Sequence, residues 1–216
     1  MVTGLKAEAD CVAAAGLAGV FSAGGSARRA HEGALALVDR GAGALLSFGV
    51  GGGLDPALAA GELVVADAVI APDGRRFATD PAWRERLRRL RVSLHVASIA
   101  GSERMLHGAH AKAALHAATG AALVDMESHG VAAAAAARGL PFMAVRAVAD
   151  PAGRAVPRCA RAGLSADGRT RPLMVLGRLC LHPWELPALI ALARETARAL
   201  ESLRRLAAEE RLLGAP

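Results

Sequence analysis

Residues 122–150 read ALVDMESHGVAAAAAARGLPFMAVRAVAD, and this stretch decides the fold class. Together with Ala121, "AALVD" is a short apolar run closed by an acid, the pattern of a buried strand. Met126 to Arg138 is an alanine-rich helical segment. Gly139-Leu140-Pro141 stops it, because glycine caps a helix and proline cannot continue one. "PFMAVRAV", Pro141 to Val148, is a second buried-strand run, and Asp150 follows it. Three carboxylates, Asp125, Glu127 and Asp150, lie in this apolar setting. Acidic side chains are rarely fully buried unless paired or hydrogen-bonded, so all three call for an explanation.

Working outward, "AGALLSFG", "ELVVADAVI" and "LHVASIA" read as further buried strands. Helical segments are expected at Ala27 to Arg40, Pro81 to Leu90 and Ala109 to Thr119, with a long amphipathic pattern from Pro187 to Leu213. Pro151 to Arg171, rich in Arg, Gly and Pro, reads as a loop. Alternating strands and helices predict an α/β fold, a three-layer sandwich with a central mixed, largely parallel sheet flanked by helices. One domain over residues 1–216 is expected.

In such sheets ligands bind at the carboxyl ends of strands. Asp125-Met126-Glu127-Ser128 and Ala149-Asp150-Pro151 both fall on that rim. So does "SFGVGGGLDP", whose Gly51, Gly52 and Gly53 are expected in a turn that lets backbone approach a ligand. "FSAGGSARR" places a glycine pair before a helix. A plain tight turn explains either glycine cluster equally well, and neither has the order of a dinucleotide-binding loop.

Composition narrows the classes. The net charge is +6, yet only Lys6 and Lys112 are lysines among 26 basic residues. That is an arginine bias rather than a nucleic-acid footprint, and the absence of tyrosine argues against base-stacking platforms. No nucleic-acid partner is expected. The densest basic run, "WRERLRRLR", puts Trp83, Leu87 and Leu90 on one helical face and Arg84, Arg88 and Arg91 on another. That second face is a solvated surface, or one that meets anionic lipid or an acidic partner. Glu8 and Asp10 lie where an export signal would be apolar, and three scattered cysteines suit reduced thiols, so a cytoplasmic protein is expected. His107 and His110 lack a third ligand, so no metal is expected. His129 reads as a helix-face histidine.

The order "GLKAEAD", "SAGGSARR", "SFGVGGGLDPALAAGELVVAD", "SIAGSERML", "VDMESHGVA", "PFMAVRAVADPAG" resembles the purine nucleoside phosphorylase and methylthioadenosine/S-adenosylhomocysteine nucleosidase superfamily, over Gly4 to Gly153. "VDMESHG" and the Arg/Ala-rich short chain look most like its hopanoid-associated branch, which acts on adenosylhopane. The resemblance implies that Asp150 is the acid that protonates N7 of the departing purine. It implies that Met126 packs on the ribose and Glu127 binds its 2′ and 3′ hydroxyls. Glu8 matches the acid that orients the attacking water in hydrolytic members. Arg146 matches a rim arginine, Gly51, Gly52 and Gly53 the turn beside base and sugar, and Met105 the position that reads the purine.

The chemistry needs those residue types. Breaking an N-glycosidic bond builds positive charge on the ribose and negative charge on the base. A protonated Asp150 neutralises the base, and Glu127 sits near the developing cation. Apolar surroundings should raise the pKa of Asp150 so that it holds its proton. Taken singly, Asp150 could be a helix cap, Glu127 a first-turn acid and Asp125 a cap for the Met126 helix. Phosphate-using members place Arg and Ser where this chain has Ser47 and Val50. Inorganic phosphate as co-substrate would therefore rely on Arg28 or Arg29. With Glu8 present, hydrolysis is the expectation, without a cofactor. A nucleoside-binding protein without activity and a dinucleotide-dependent oxidoreductase are the other classes. The implied partners are a small or lipid-linked adenine nucleoside, a second copy of the chain, and a peripheral contact with the inner membrane.

Overall fold

The computed structural model describes residues 1–16, 19–90, 92–161 and 172–209. The chain runs β1 (Val2–Thr3), α1 (Lys6–Ala14), β2 (Phe21–Ser22), α2 (Ala27–Asp39), β3 (Leu45–Gly53), β4 (Leu63–Ile70), β5 (Arg76–Ala78) and α3 (Pro81–Arg88). It continues through β6 (Leu94–Gly101), α4 (Ala109–Thr119), β7 (Leu123–Asp125), α5 (Ser128–Arg138), β8 (Phe142–Asp150), α6 (Arg158–Arg161), α7 (Pro172–Leu181), a 3₁₀ turn (Pro183–Glu185) and α8 (Leu186–Ala207). The expected strands and helices are all present. The additional elements are β1, α1, β2, β5, α6, α7 and the 3₁₀ turn. All but α7 are short or charge-rich, where hydrophobic periodicity gives little signal, and α7 is an apolar helix that the sequence pattern did not single out. The loop expected from Pro151 carries the short helix α6, and residues 162–171 lie outside the described ones. So does the end of the tail, where residues 210–213 were expected to be helical.

The fold is α/β, with a mixed sheet flanked by helices. The sheet is not an open central layer. β3 pairs parallel with β8, β8 antiparallel with β4, β4 parallel with β6, β6 parallel with β7, and β7 antiparallel with the end of β3. Those five strands close a ring, and β1, β2 and β5 extend it at the sides. Closure depends on Gly51–Gly53. These residues are the last three of β3 rather than the expected turn, with a register shift between Gly51 and Gly52. β7 crosses so closely that a β-carbon on Gly51 would fall 2.0 Å from Leu123 Cδ2. Only glycine leaves room for both partners of β3.

Side-chain alternation along β8 sorts the core into two clusters. Met143, Val145 and Ala147 face Val12, Trp83, Leu87, Leu203 and Leu206, from α1, α3 and α8. Phe142, Ala144 and Val148 face Ala30, Ala34, Val131 and Ala135, from α2 and α5. Arg146 shares the parity of the second set and is fully buried. The burial of Trp83 and Leu87 leaves Arg88 and Arg89 of the basic run exposed. By contrast, α7 carries Leu173 at 81% exposure and the 3₁₀ turn carries Trp184 at 71%. Among the described residues no single helix is long and apolar enough to cross a membrane.

Candidate active site

A cavity opens where β3, β7 and β8 end, at the rim that the strand pattern predicts. Glu8, Gly51, Gly52, Met105, Met126, Glu127 and Asp150 line it. Met126 and Glu127 reach it because α5 starts two residues later than the sequence suggests, at Ser128. The Asp125 carboxylate delays the helix by accepting from the Ser128 amide at 3.0 Å and its hydroxyl at 2.6 Å. Asp125 thus does the capping work expected of it, while Met126 and Glu127 form the strand-to-helix turn.

Behind the cavity lies a sealed ionic cluster. Arg146 donates from Nε to Asp125 Oδ2 at 2.8 Å and also from Nη2, which reaches Ser47 Oγ at 2.8 Å. Nη2 lies 3.8 Å from Glu127 Oε2. The resemblance places Arg146 at the rim as a ligand contact. The structure corrects this: Arg146 is fully buried, does not line the cavity, and holds Asp125 and Glu127 from behind. Ser47 is likewise consumed in this cluster.

Three carboxylates share that one guanidinium. Burial pushes the Glu127 carboxyl up to about 8; Asp125 and Glu8 reinforce the shift, and Arg146 opposes it. Burial also raises Glu8, against Arg146 and three backbone amides. Those amides fix its position: Glu8 Oε2 accepts from Gly4 and Leu5 at 2.7 and 2.8 Å, and Oε1 from Val50 at 2.8 Å. Burial works against the charge on Arg146, but Asp125 and Glu127 more than offset it and hold it protonated. Two glycines make space for the acids. A β-carbon would lie 2.4 Å from Glu127 Oε1 at Gly4, and 2.6 Å from Glu8 Oε2 at Gly49.

Asp150 has a different partner, one that the sequence reading missed. Lys112 of α4 is fully buried and donates to Asp150 Oδ2 at 2.5 Å, to the Asp150 carbonyl at 3.0 Å and to the Pro151 carbonyl at 2.9 Å. Burial raises the Asp150 carboxyl above its usual range, and Lys112 limits the rise. The signal available in the sequence was that Lys112 is one of only two lysines in a chain that otherwise uses arginine.

Other candidates fall outside the cavity. Gly53 packs against Val148 and Pro151. Neither Arg28 nor Arg29 lines it, and Arg28 is exposed and paired with Glu32 at 3.0 Å. His129 sits 3.1 Å from Glu103. Among the described residues no group of His, Cys, Asp and Glu could hold a metal ion.

A family model described as "Phosphorylase superfamily" matches residues 11–162. The chain belongs to that superfamily. Its members cleave N-glycosidic bonds, and so does this enzyme. No curated protein matches it by sequence. Its fold is similar to a 5'-methylthioadenosine/S-adenosylhomocysteine nucleosidase from Helicobacter pylori, solved with butyl-thio-DADMe-Immucillin-A (TM-score 0.69, 16% identity, 96% of each chain covered). It is similar to an S-adenosylhomocysteine nucleosidase from Streptococcus pyogenes in complex with 5-methylthiotubericidin (TM-score 0.69, 18% identity, 96% of this chain and 94% of that one). It is also similar to futalosine hydrolase of Helicobacter pylori (TM-score 0.66, 16% identity, 94% of each chain).

Proposed function

We propose that this enzyme hydrolyses the N-glycosidic bond of an adenine nucleoside. The observation that carries the reading is that Asp150, Glu127 and Glu8 line one cavity. Asp150 protonates the departing base, Glu127 accepts the ribose hydroxyls, and Glu8 orients the attacking water. Met126 packs on the sugar and Met105 lies against the base. Water rather than phosphate is the nucleophile for a physical reason. A phosphate anion near Val50 would face the Glu8 carboxylate, which already takes the Val50 amide, and no arginine of the α2 entry lines the cavity. Free adenine and ribose products are to be measured with and without phosphate. Strict phosphate dependence with a ribose 1-phosphate product defeats the hydrolytic assignment.

The finer reading is that the substrate is adenosylhopane, whose polycyclic tail stays in or near a membrane. The exposed apolar residues Leu173, Met174, Leu176, Leu181 and Trp184 support it, since soluble surfaces seldom cluster so much apolar side chain. Burying such a tail contributes ~25 cal/mol per Å². Sedimentation with anionic liposomes tests the membrane contact, and kinetics with adenosylhopane beside methylthioadenosine test the substrate. Indifference to liposomes together with a preference for methylthioadenosine returns the chain to small nucleosides.

A further inference from the structure

We propose that Lys112 is the positioning partner of the acid: it fixes the Asp150 carboxyl at the cavity and carries the countercharge that Asp150 needs once it has given up its proton. The inference rests on the nucleosidase reading above and deepens it.

The geometry starts with an uncommon arrangement. A lysine ammonium has three protons, and here all three are spent: one on Asp150 Oδ2, two on the carbonyls of Asp150 and Pro151. A fully buried lysine is expensive unless it is paired and hydrogen-bonded. Lys112 meets both conditions at a single place, the end of β8. It is therefore tied to the acid's backbone as well as to its side chain, so the carboxyl cannot swing without breaking the clamp. The Asp150 side chain keeps 14% of its surface open while that of Lys112 keeps 1%. With Oδ2 occupied, Oδ1 is the oxygen left for substrate.

Among the described residues other charges also lie near the pair, and Arg104 lines the same cavity as Asp150. Glu195 of α8 acts on Asp150 but is neutralised by Arg154, at 3.0 Å between Arg154 Nε and Oε2. His107 precedes α4, and its carbonyl accepts from Val156. Glu8 and Glu127 line the same cavity and are answered by Arg146. Lys112 is thus the cation in contact with Asp150.

The step balances as follows. The C1′–N9 bond breaks and its electron pair goes to the base. The proton on Asp150 Oδ1 passes to N7, leaving Asp150 as a carboxylate. The oxygen of water bonds to C1′ and loses its proton to solvent through Glu8. Lys112 keeps its own protons throughout. Its charge stabilises the carboxylate that appears and makes Asp150 a stronger acid than burial alone would allow.

The test is kcat/KM against pH for wild type, Lys112→Gln and Lys112→Arg, with adenosine as the probe. Gln keeps donors for the carbonyls and removes the charge. An opposite charge at this range shifts a carboxyl by about one to three units. The alkaline limb, which reports the acid losing its proton, should therefore move up by ~1 unit or more in Lys112→Gln while the plateau falls. Lys112→Arg should keep the wild-type limb. If the limb of Lys112→Gln stays in place and only the plateau or the thermal stability falls, Lys112 is a clamp for the fold and the inference is overturned. Should Lys112→Gln not fold, wild type decides. The Asp150 carboxyl carbon, assigned by its loss in Asp150→Asn, and the Lys112 ammonium must then respond at the same pH as the limb. Separate transitions overturn the inference. Wild type that releases no base from any adenine nucleoside removes the nucleosidase reading and this inference together. Cleavage with an unmoved limb removes the inference alone.

Discussion

Two buried acid–base pairs flank the cavity, Asp125 with Arg146 and Asp150 with Lys112. As charges they look alike; as chemistry they differ. Arginine does not lose its proton in a protein, and its planar fork suits a carboxylate held from two nitrogens. Arg146 uses it that way, with Nε and Nη2 both on Asp125. Both side chains of that pair are sealed to 1% exposure. That pair is a fixed charge pair beside Glu127, where burial above all, with Asp125 adding to it and Arg146 opposing it, lets Glu127 hold its proton to about pH 8. The Asp150 pair is open on one side, and its cation is a compact ammonium that leaves one carboxyl oxygen free. One pair fixes charge; the other is arranged to pass a proton.

The sharpest break of this contrast is Asp150→Asn. The amide has the same shape and still accepts from Lys112, so the fold should be kept, with some loss of thermal stability because Lys112 is left buried without a carboxyl partner. The acid is gone, so the rate should fall ~10²–10⁴-fold in an adenine-release assay. Near-normal turnover would remove Asp150 from the mechanism. Next in size is Arg146→Met. It leaves Asp125 buried without its cation, and breaking such a pair costs about 3–5 kcal/mol. Urea unfolding should show that loss. A variant as stable as wild type would mean the cluster does not need its cation, and the contrast between the pairs would collapse.

Much of this was legible in the sequence because the strands are apolar runs with clear stops. The run ending at Asp150 and the Asp125–Ser128 exit give both rim acids from pattern alone. Ring closure was not legible. It depends on β8 pairing along both edges and on β7 crossing Gly51–Gly53, contacts between segments far apart in the chain. Arg146 was legible as a residue but not as a buried one, since strand parity tells which face it takes and not what waits there. Lys112 was invisible by periodicity, because α4 carries only a weak apolar face and the lysine's partner lies 38 residues away.

A smaller effect is expected at Glu127. Its carboxyl keeps a proton to about pH 8 in the fold, against an ordinary value near 4.5. Between those values the unfolded chain has released a proton that the folded one still holds. Stability of the empty enzyme should therefore fall as pH rises from about 4.5 to about 8 and level off above. Glu127→Gln should flatten that slope in thermal scans across the window. It should also discriminate less against 2′-deoxy substrates, by up to roughly tenfold, because a hydrogen bond to a neutral carboxyl contributes ~0.5–1.5 kcal/mol. An unchanged slope and unchanged discrimination would make Glu127 a feature of the turn alone.

The smallest effect should come from Arg28→Ala, and its smallness is informative. Arg28 and Glu32 form an exposed i,i+4 pair, and such pairs contribute only ~0.2–1 kcal/mol. Stability should barely change. Activity distinguishes the two nucleophiles. If water attacks, the Arg28 side chain has no partner in the reaction, and kcat/KM should stay within about twofold of wild type at any phosphate concentration. If phosphate attacks, Arg28 at the α2 entry is, besides Arg104 in the cavity lining, a cation able to meet its charge, and removing Arg28 should raise the phosphate requirement. A clear phosphate-dependent loss in Arg28→Ala would show that the entry of α2 closes over the cavity in the working enzyme. The fixed and proton-passing pairs would then need a third, mobile cation beside them.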